Sequence, residues 1–136
     1  MHEIINSLFN YALDNDIAVE YTDKLHQNTQ SFADVRSRSI VINANWQPRK
    51  QLPFIIAHEI SHIMQCDQDD AILSFTTLLS PKYEQKANVN AIKLLIPFYA
   101  DNKEIDQINL EEFMELFAIP DSLRDVCFTE IKDYVD

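Results

Sequence analysis

The feature that most constrains this chain is an apolar stretch, residues 54–66, in which two histidines stand four positions apart. Isoleucine and other apolar residues surround the histidines on nearly all sides, which predicts a buried helix. Residues i and i+4 share one face of a helix, so His58 and His62 would lie one turn apart and could grip one metal ion. Glu59 adjoins this row in the position of a general base over the open side of the metal.

The same H-E-x-x-H pattern has a plainer interpretation. His58 and His62 would be core histidines satisfied by hydrogen bonds, and Glu59 would point to solvent. A third protein ligand favours the metal, because catalytic zinc usually takes three protein ligands and leaves one position to water. Cys66 cannot share an ion with His58, because eight residues of helix rise about 12 Å. The acidic residues that follow are better interpreted as a solvated helix exit; they are Asp67, Asp69 and Asp70.

Glu84 is the better third ligand. It lies in a predicted helix, residues 80–97, which Ser80 opens as N-cap and Pro97 closes. Helical spacing puts Glu84 on a face of small and apolar residues, where an ordinary solvent-exposed glutamate does not belong. The residues that share this face are Ala87, Asn88, Ala91 and Leu95. The alanines would let the two helices approach closely, and Asn88 could hydrogen-bond a ligand histidine and fix its tautomer.

Three segments in this order resemble the ImmA/IrrE metallopeptidases of bacteria and their mobile elements. They are a strand ending in asparagine (residues 40–43), the A-H-E-I-S-H sequence (57–62) and an E-Q-K-A-N sequence (84–88) that continues as a helix. The likeness covers about the first hundred residues, and two motifs with a plausible gap are more specific than either alone.

The resemblance implies that His58, His62 and Glu84 are metal ligands and that Glu59 is the catalytic acid/base. Ser61 departs from the family pattern, which usually has glycine there. Zinc is the implied metal, although two nitrogens and one oxygen also suit manganese. The implied reaction is endopeptidase cleavage of a protein.

Several relatives act on helix-turn-helix repressors of prophages or integrated elements. The resemblance therefore implies a basic DNA-binding repressor as the partner, and the net charge of −11 suits docking to such a protein. One rival is a non-catalytic antirepressor whose metal is structural or lost. Another is a metallohydrolase that acts on bonds other than peptide bonds.

Composition limits the remaining classes of function. The chain has 136 residues, enough for one domain with one core. It has no glycine, so nucleotide sites that depend on glycine-rich loops are not expected. No basic leader and no apolar run of about 18 residues occur, so we expect a cytosolic protein that does not enter membranes. Cys66 and Cys127 are expected to be buried thiols rather than a disulfide.

The periodicities predict an α+β fold. An amphipathic helix (residues 3–15) precedes three strands (17–21, 32–35 and 39–43) of a small mixed or antiparallel sheet, with a hairpin turn near Ser37. The apolar stripe of this helix consists of Ile4, Ile5, Leu8, Phe9, Ala12 and Leu13. The motif helix begins near Leu52. We expect strand 39–43 either to lie at the sheet edge and receive substrate by strand addition, or to be an ordinary strand. Residues 67–80 could form a lid over the cleft, but core filler is the preferred interpretation.

We divide the chain into a catalytic part, residues 1–100, and an acidic helical segment, residues 101–136, packed on it. This segment has eleven acidic and three basic residues, so it would repel phosphates and we do not expect it to bind DNA. Asn109 and Glu112 resemble a capping box. The apolar positions expected to face inward are Leu110, Phe113, Met114, Phe117, Leu123, Cys127, Ile131 and Tyr134.

A peptidase of this kind also needs a donor for the oxyanion of the tetrahedral intermediate. Tyr83 and Tyr99 are candidates, although a tyrosine in such a position is more often a packed aromatic residue, and neither is chosen.

Overall fold

The computed structural model of the protein describes residues 2–65 and 81–136. Within these ranges the fold is α+β, as predicted, with five α-helices and one small sheet. Along the chain the elements are α1 (His2–Asp14), β1 (Ala18–Thr22), β2 (Phe32–Asp34), β3 (Ser39–Asn43), α2 (Leu52–Gln65), α3 (Pro81–Ala100), α4 (Leu110–Leu116) and α5 (Arg124–Val135). The interpretations of Ser80 as an N-cap, of Cys66 as a buried thiol, of the acidic helix exit and of residues 67–80 lie outside the described residues.

The sheet is mixed, with strand order β1-β3-β2. β3 pairs in parallel with β1 and antiparallel with β2, so the prediction that β3 lies at an edge was wrong. Its sequence explains the central position, because Ile40 and Ile42 are fully buried and leave β3 the most apolar strand. The predicted hairpin near Ser37 is confirmed, and Arg38 completes the turn with φ 48°.

α1 packs its apolar stripe on the core through Ile5, Leu8 and Ala12. Leu13 was predicted to join this stripe, but its exposed fraction is 59%. The prediction was wrong because the buried face of α1 is narrower than the sequence pattern. α1 ends at Asp14, and Asp16 turns the chain into β1 with φ 61°.

α2 begins at Leu52, as predicted, and most of its residues are buried. α3 was predicted to end at Pro97, but it continues to Ala100. A proline this close to a helix C-terminus removes only one backbone hydrogen bond. Tyr99 and Ala100 are buried in the core, and their packing holds the last turn together. In the described parts of the chain, no helix is both long and apolar enough to cross a membrane.

The acidic segment folds as α4 and α5, and its buried apolar side chains belong to the same core as those of the other helices. The inward positions are confirmed except for Tyr134, whose exposed fraction is 45%. Its prediction was wrong because the last turn of α5 reaches past the core, where the Tyr134 hydroxyl donates to Asp101. The division at residue 100 stays a prediction.

Tyr99 connects α3 to the start of α4. Asn109 caps α4 by accepting a hydrogen bond from the Glu112 backbone N–H at 3.0 Å. The Tyr99 hydroxyl accepts from the Asn109 N–H at 3.0 Å and donates to Glu112 Oε1 at 2.6 Å, so it takes the place of the second bond of the predicted capping box. It lies four helical turns from Glu84, about 22 Å along α3, which excludes it as an oxyanion donor.

Removing this hydroxyl should destabilise the protein. We expect Tyr99→Phe to lower the free energy of unfolding by about 1–3 kcal/mol, because the Asn109 N–H loses its partner. Urea unfolding measures the effect. Tyr134→Phe is the matched control, since it removes a surface hydroxyl, and should cost less than about 0.5 kcal/mol. Equal losses in the two variants would contradict the role assigned to Tyr99.

Cys127 is a fully buried thiol. Burial raises the pKa of Cys127 from 9.0 to about 11. As the pH rises, the thiol therefore ionises in the unfolded chain before it ionises in the folded protein. The contribution of the buried thiol to the free energy of unfolding is complete below pH 9 and is lost as the pH rises to 11. Across that window, the wild type should lose about 2 kcal/mol more stability than Cys127→Ala. Denaturant unfolding at several pH values tests this, and parallel curves for the two proteins would contradict it.

Candidate metal centre

Two histidines of α2 face one another across a single helical turn. His58 Nε2 and His62 Nε2 lie 3.2 Å apart, and the rings are almost perpendicular at 88°. His62 is buried and His58 is partly buried. The spacing follows from helix geometry, because residues i and i+4 stack on one face. The two Nε2 atoms therefore point to the same small volume.

α3 brings a carboxylate to the same volume. Glu84 Oε1 lies 2.9 Å from His62 Nε2, and Glu84 Oε2 lies 3.2 Å from His58 Nε2. Ala87 and Ala91 follow Glu84 at helical spacing and are fully buried. Small side chains of this kind allow two helices to approach closely, which explains how a glutamate of one helix reaches the histidines of another.

The spacing of these donor atoms fits a metal ion. The donor atoms of His58, His62 and Glu84 all lie within 4.8 Å of one another. Ligands of a tetrahedral zinc ion, at bond lengths near 2.0–2.1 Å, are separated by about 3.3 Å. The observed separations of 2.9–3.2 Å come close to that value. Two imidazole nitrogens and a carboxylate oxygen also form a donor set that zinc and manganese accept.

The electrostatics also suit a cation. Burial lowers the pKa of His58 and of His62, and the neighbouring His62 lowers that of His58 further. Both rings are therefore held in the neutral form that binds metals. Burial, followed by the charge of Glu84, raises the pKa of Glu59 to about 8. A carboxyl group with such a pKa is suited to taking up and releasing a proton near neutral pH.

Glu59 is buried, with an exposed fraction of 9%. This is not the solvent-facing position that the plainer interpretation of the motif gives it. Ser61, the departure from the expected glycine, is also buried, and its hydroxyl donates to the Ala57 carbonyl at 2.7 Å. Serine at this position therefore leaves no unpaired hydroxyl in the core and keeps α2 helical.

Asn88 lies one turn after Glu84 and is partly buried. Its side chain interacts with His58 in a way that raises the pKa of that histidine, against the larger effect of burial. Within the described part of the chain, the buried Nδ1 atoms of His58 and His62 have no hydrogen-bond partner. Control of a ring tautomer by Asn88 stays a prediction.

A cleft of about 270 Å³ opens beside these residues. His58, Glu59 and Glu84 lie at its base. The other lining residues were missed by the sequence reasoning; they are Gln30, Ser31, Trp46, Gln51, Phe54, Ile55 and Pro120. The position of Trp46 in the loop just before the motif helix was a signal that could have found it. Tyr83 is not among the described lining residues.

Comparison with known proteins assigns the chain to a family. A family model of peptidases, described as the IrrE N-terminal-like domain, matches residues 12–118. The match includes the sheet, α2, α3 and all three candidate ligands. Searches of curated proteins and of solved structures found no match. Because the match spans most of the chain, the protein belongs to the ImmA/IrrE family of metallopeptidases, through its IrrE N-terminal-like domain.

Proposed function

We propose that the protein is a metal-dependent endopeptidase whose metal is held by His58, His62 and Glu84. The observation that carries the proposal is the convergence of three donor atoms from two helices within 4.8 Å, beside a buried glutamate in an open cleft. Membership of a metallopeptidase family supports it. Zinc is the metal that we expect, and manganese is the alternative.

A metal bound there would polarise the scissile carbonyl and lower the pKa of water at the site. Glu59 lines the cleft next to His58, and we assign it the proton transfers. It takes a proton from the attacking water and delivers it to the leaving amine. The raised pKa of Glu59 belongs to the metal-free protein; a divalent cation beside it would lower that pKa and favour the carboxylate form, which accepts the proton of the attacking water.

The sheet suggests how a peptide enters the cleft. β2 is an edge strand of the described sheet, and Gln30 and Ser31 directly before it line the cleft. An extended peptide added to this edge would run beside the base of the cleft. β2 thus takes the role that the sequence had suggested for β3.

We further propose that the substrate is a basic DNA-binding repressor. The net charge of −11 supports this assignment, since opposite charges favour encounter between two proteins. Cleavage of such a repressor would release the genes that it controls.

A fluorogenic peptide library tests the reaction type. We expect cleavage by the zinc- or manganese-supplemented protein, loss of cleavage with a chelator and recovery when the metal is restored. A basic helix-turn-helix repressor, followed by mass spectrometry, tests the substrate class. Failure to cleave any peptide with either metal would contradict the peptidase assignment, and equal cleavage of acidic and basic proteins would contradict the choice of substrate.

A further inference from the structure

The apolar residues that line the cleft, which we call its apolar wall, come from three separate parts of the chain. Trp46 belongs to the loop between β3 and α2, Phe54 and Ile55 to the first turn of α2, and Pro120 to the loop between α4 and α5. Trp46 and Ile55 are partly buried and Pro120 is exposed. Apolar surface of this kind, beside the base of a cleft, is what a hydrophobic side chain of a bound peptide would cover.

Gln51 holds two of these parts together. Its side-chain Oε1 accepts a hydrogen bond from Trp46 Nε1 at 2.7 Å, and its Nε2 donates to the Ala118 carbonyl at 2.7 Å. Ala118 adopts a φ of 47° just before Pro120. One amide therefore fixes the orientation of the tryptophan and ties the α4–α5 loop to the wall.

Pro120 lies just beyond the region that matches the family, which ends at residue 118. The acidic segment thus adds its own residue to the cleft, in addition to packing on the catalytic part. A contribution from outside the matched region can give this chain a preference of its own.

We propose that Trp46, Phe54, Ile55 and Pro120 form a subsite for one large apolar side chain of the substrate, next to the scissile bond. Gln51 is its positioning residue. The inference rests on the proposed function, because it names the substrate feature that the same cleft recognises.

The size of the cleft limits what it holds. Its volume of about 270 Å³ is just below the range of about 300–1,000 Å³ usual for small-molecule sites. One aromatic or branched side chain with its peptide unit fits such a space, whereas a folded segment does not. Burial of an apolar side chain of that size typically strengthens binding by about tenfold or more.

Binding of two blocked pentapeptides tests the subsite. The probes are acetyl-Ala-Ala-Phe-Ala-Ala-amide and the same peptide with serine in place of phenylalanine, added to the full chain carrying Glu59→Gln in zinc buffer to prevent cleavage. Trp46 is the only tryptophan of the chain, so its emission reports directly on the wall, and calorimetry supplies the affinity. We expect the phenylalanine peptide to bind at least about tenfold more tightly and to change the Trp46 emission.

Variants test whether the preference for the phenylalanine peptide depends on the residues of the subsite. Adding Pro120→Asp should bring the affinity ratio of the two peptides close to one, and Gln51→Ala should lower it while zinc affinity is unchanged. Ile105→Asp is the matched control, because Ile105 is 70% exposed and does not line the cleft; it should keep the ratio.

The outcomes separate this inference from the proposed function. Equal affinity for the two peptides, or an unchanged ratio in Pro120→Asp, would overturn the subsite even if the wild type cleaves peptides. A phenylalanine preference in the Glu59→Gln chain, together with a wild-type chain that cleaves no peptide with either metal, would support the subsite and contradict the peptidase assignment.

Discussion

Glu59→Gln is expected to lower the rate of peptide cleavage by at least about a hundredfold, the usual contribution of a general base or acid. The substitution keeps the size of the side chain, so the packing of α2 and the positions of His58 and His62 should be preserved. The amide, however, cannot accept the proton of the attacking water. Steady-state cleavage of a library-derived peptide gives the rate, and competition with a chromophoric chelator should show zinc affinity within a fewfold of wild type.

Glu115→Gln is the matched control, since Glu115 is exposed and is not among the residues that line the cleft; it should cleave as the wild type does. The same comparison separates the enzyme from a non-catalytic antirepressor. If Glu59→Gln released a repressor from its DNA as well as the wild type, the protein would act by contact rather than by hydrolysis.

Glu84→Ala is expected to weaken zinc binding by more than about a hundredfold. Loss of groups that merely support a ligand typically costs about 10–100-fold in metal affinity, and Glu84 supplies one of the three donor groups that the described residues bring together. His58 and His62 would remain, and two imidazoles one turn apart hold zinc far less tightly than two imidazoles and a carboxylate do. Titration of the metal-free protein against a chelator of known affinity measures the change.

Glu115→Ala is the control for this loss of a carboxylate, and we expect it to leave zinc affinity unchanged. Wild-type affinity in Glu84→Ala would contradict the assigned ligand set. The α2–α3 contact itself should survive, because Ala87 and Ala91 are buried along α3 independently of the carboxylate.

Most of the candidate site could be predicted from helical periodicity in the sequence. Spacing alone places His58 and His62 on one face, and it places Glu84 on the buried side of α3. These relations are local, so they depend on helix geometry and not on the rest of the fold. The start of α2 at Leu52 and the hairpin before β3 were predictable for the same reason.

What the sequence did not reveal depends on contacts between distant segments. The strand order could not be predicted, because no local sequence pattern encodes that β3 returns to pair in parallel with β1. Proline ends many helices, but in α3 the packing of Tyr99 and Ala100 continues the helix past Pro97. The cleft wall is the clearest case, since Trp46 and Pro120 are 74 positions apart in the sequence and both line the cleft, where Gln51 bonds to Trp46 and to Ala118.

X-ray absorption at the zinc edge of the wild-type protein with one equivalent of zinc tests the central claim most directly. The account predicts two histidine nitrogens near 2.0–2.1 Å, carboxylate oxygen near 2.0–2.2 Å and no sulfur shell near 2.3 Å. Glu84→Ala should lose the tightly bound zinc. A sulfur shell, or a wild-type spectrum of zinc bound only by water, would contradict a metal centre formed by His58, His62 and Glu84.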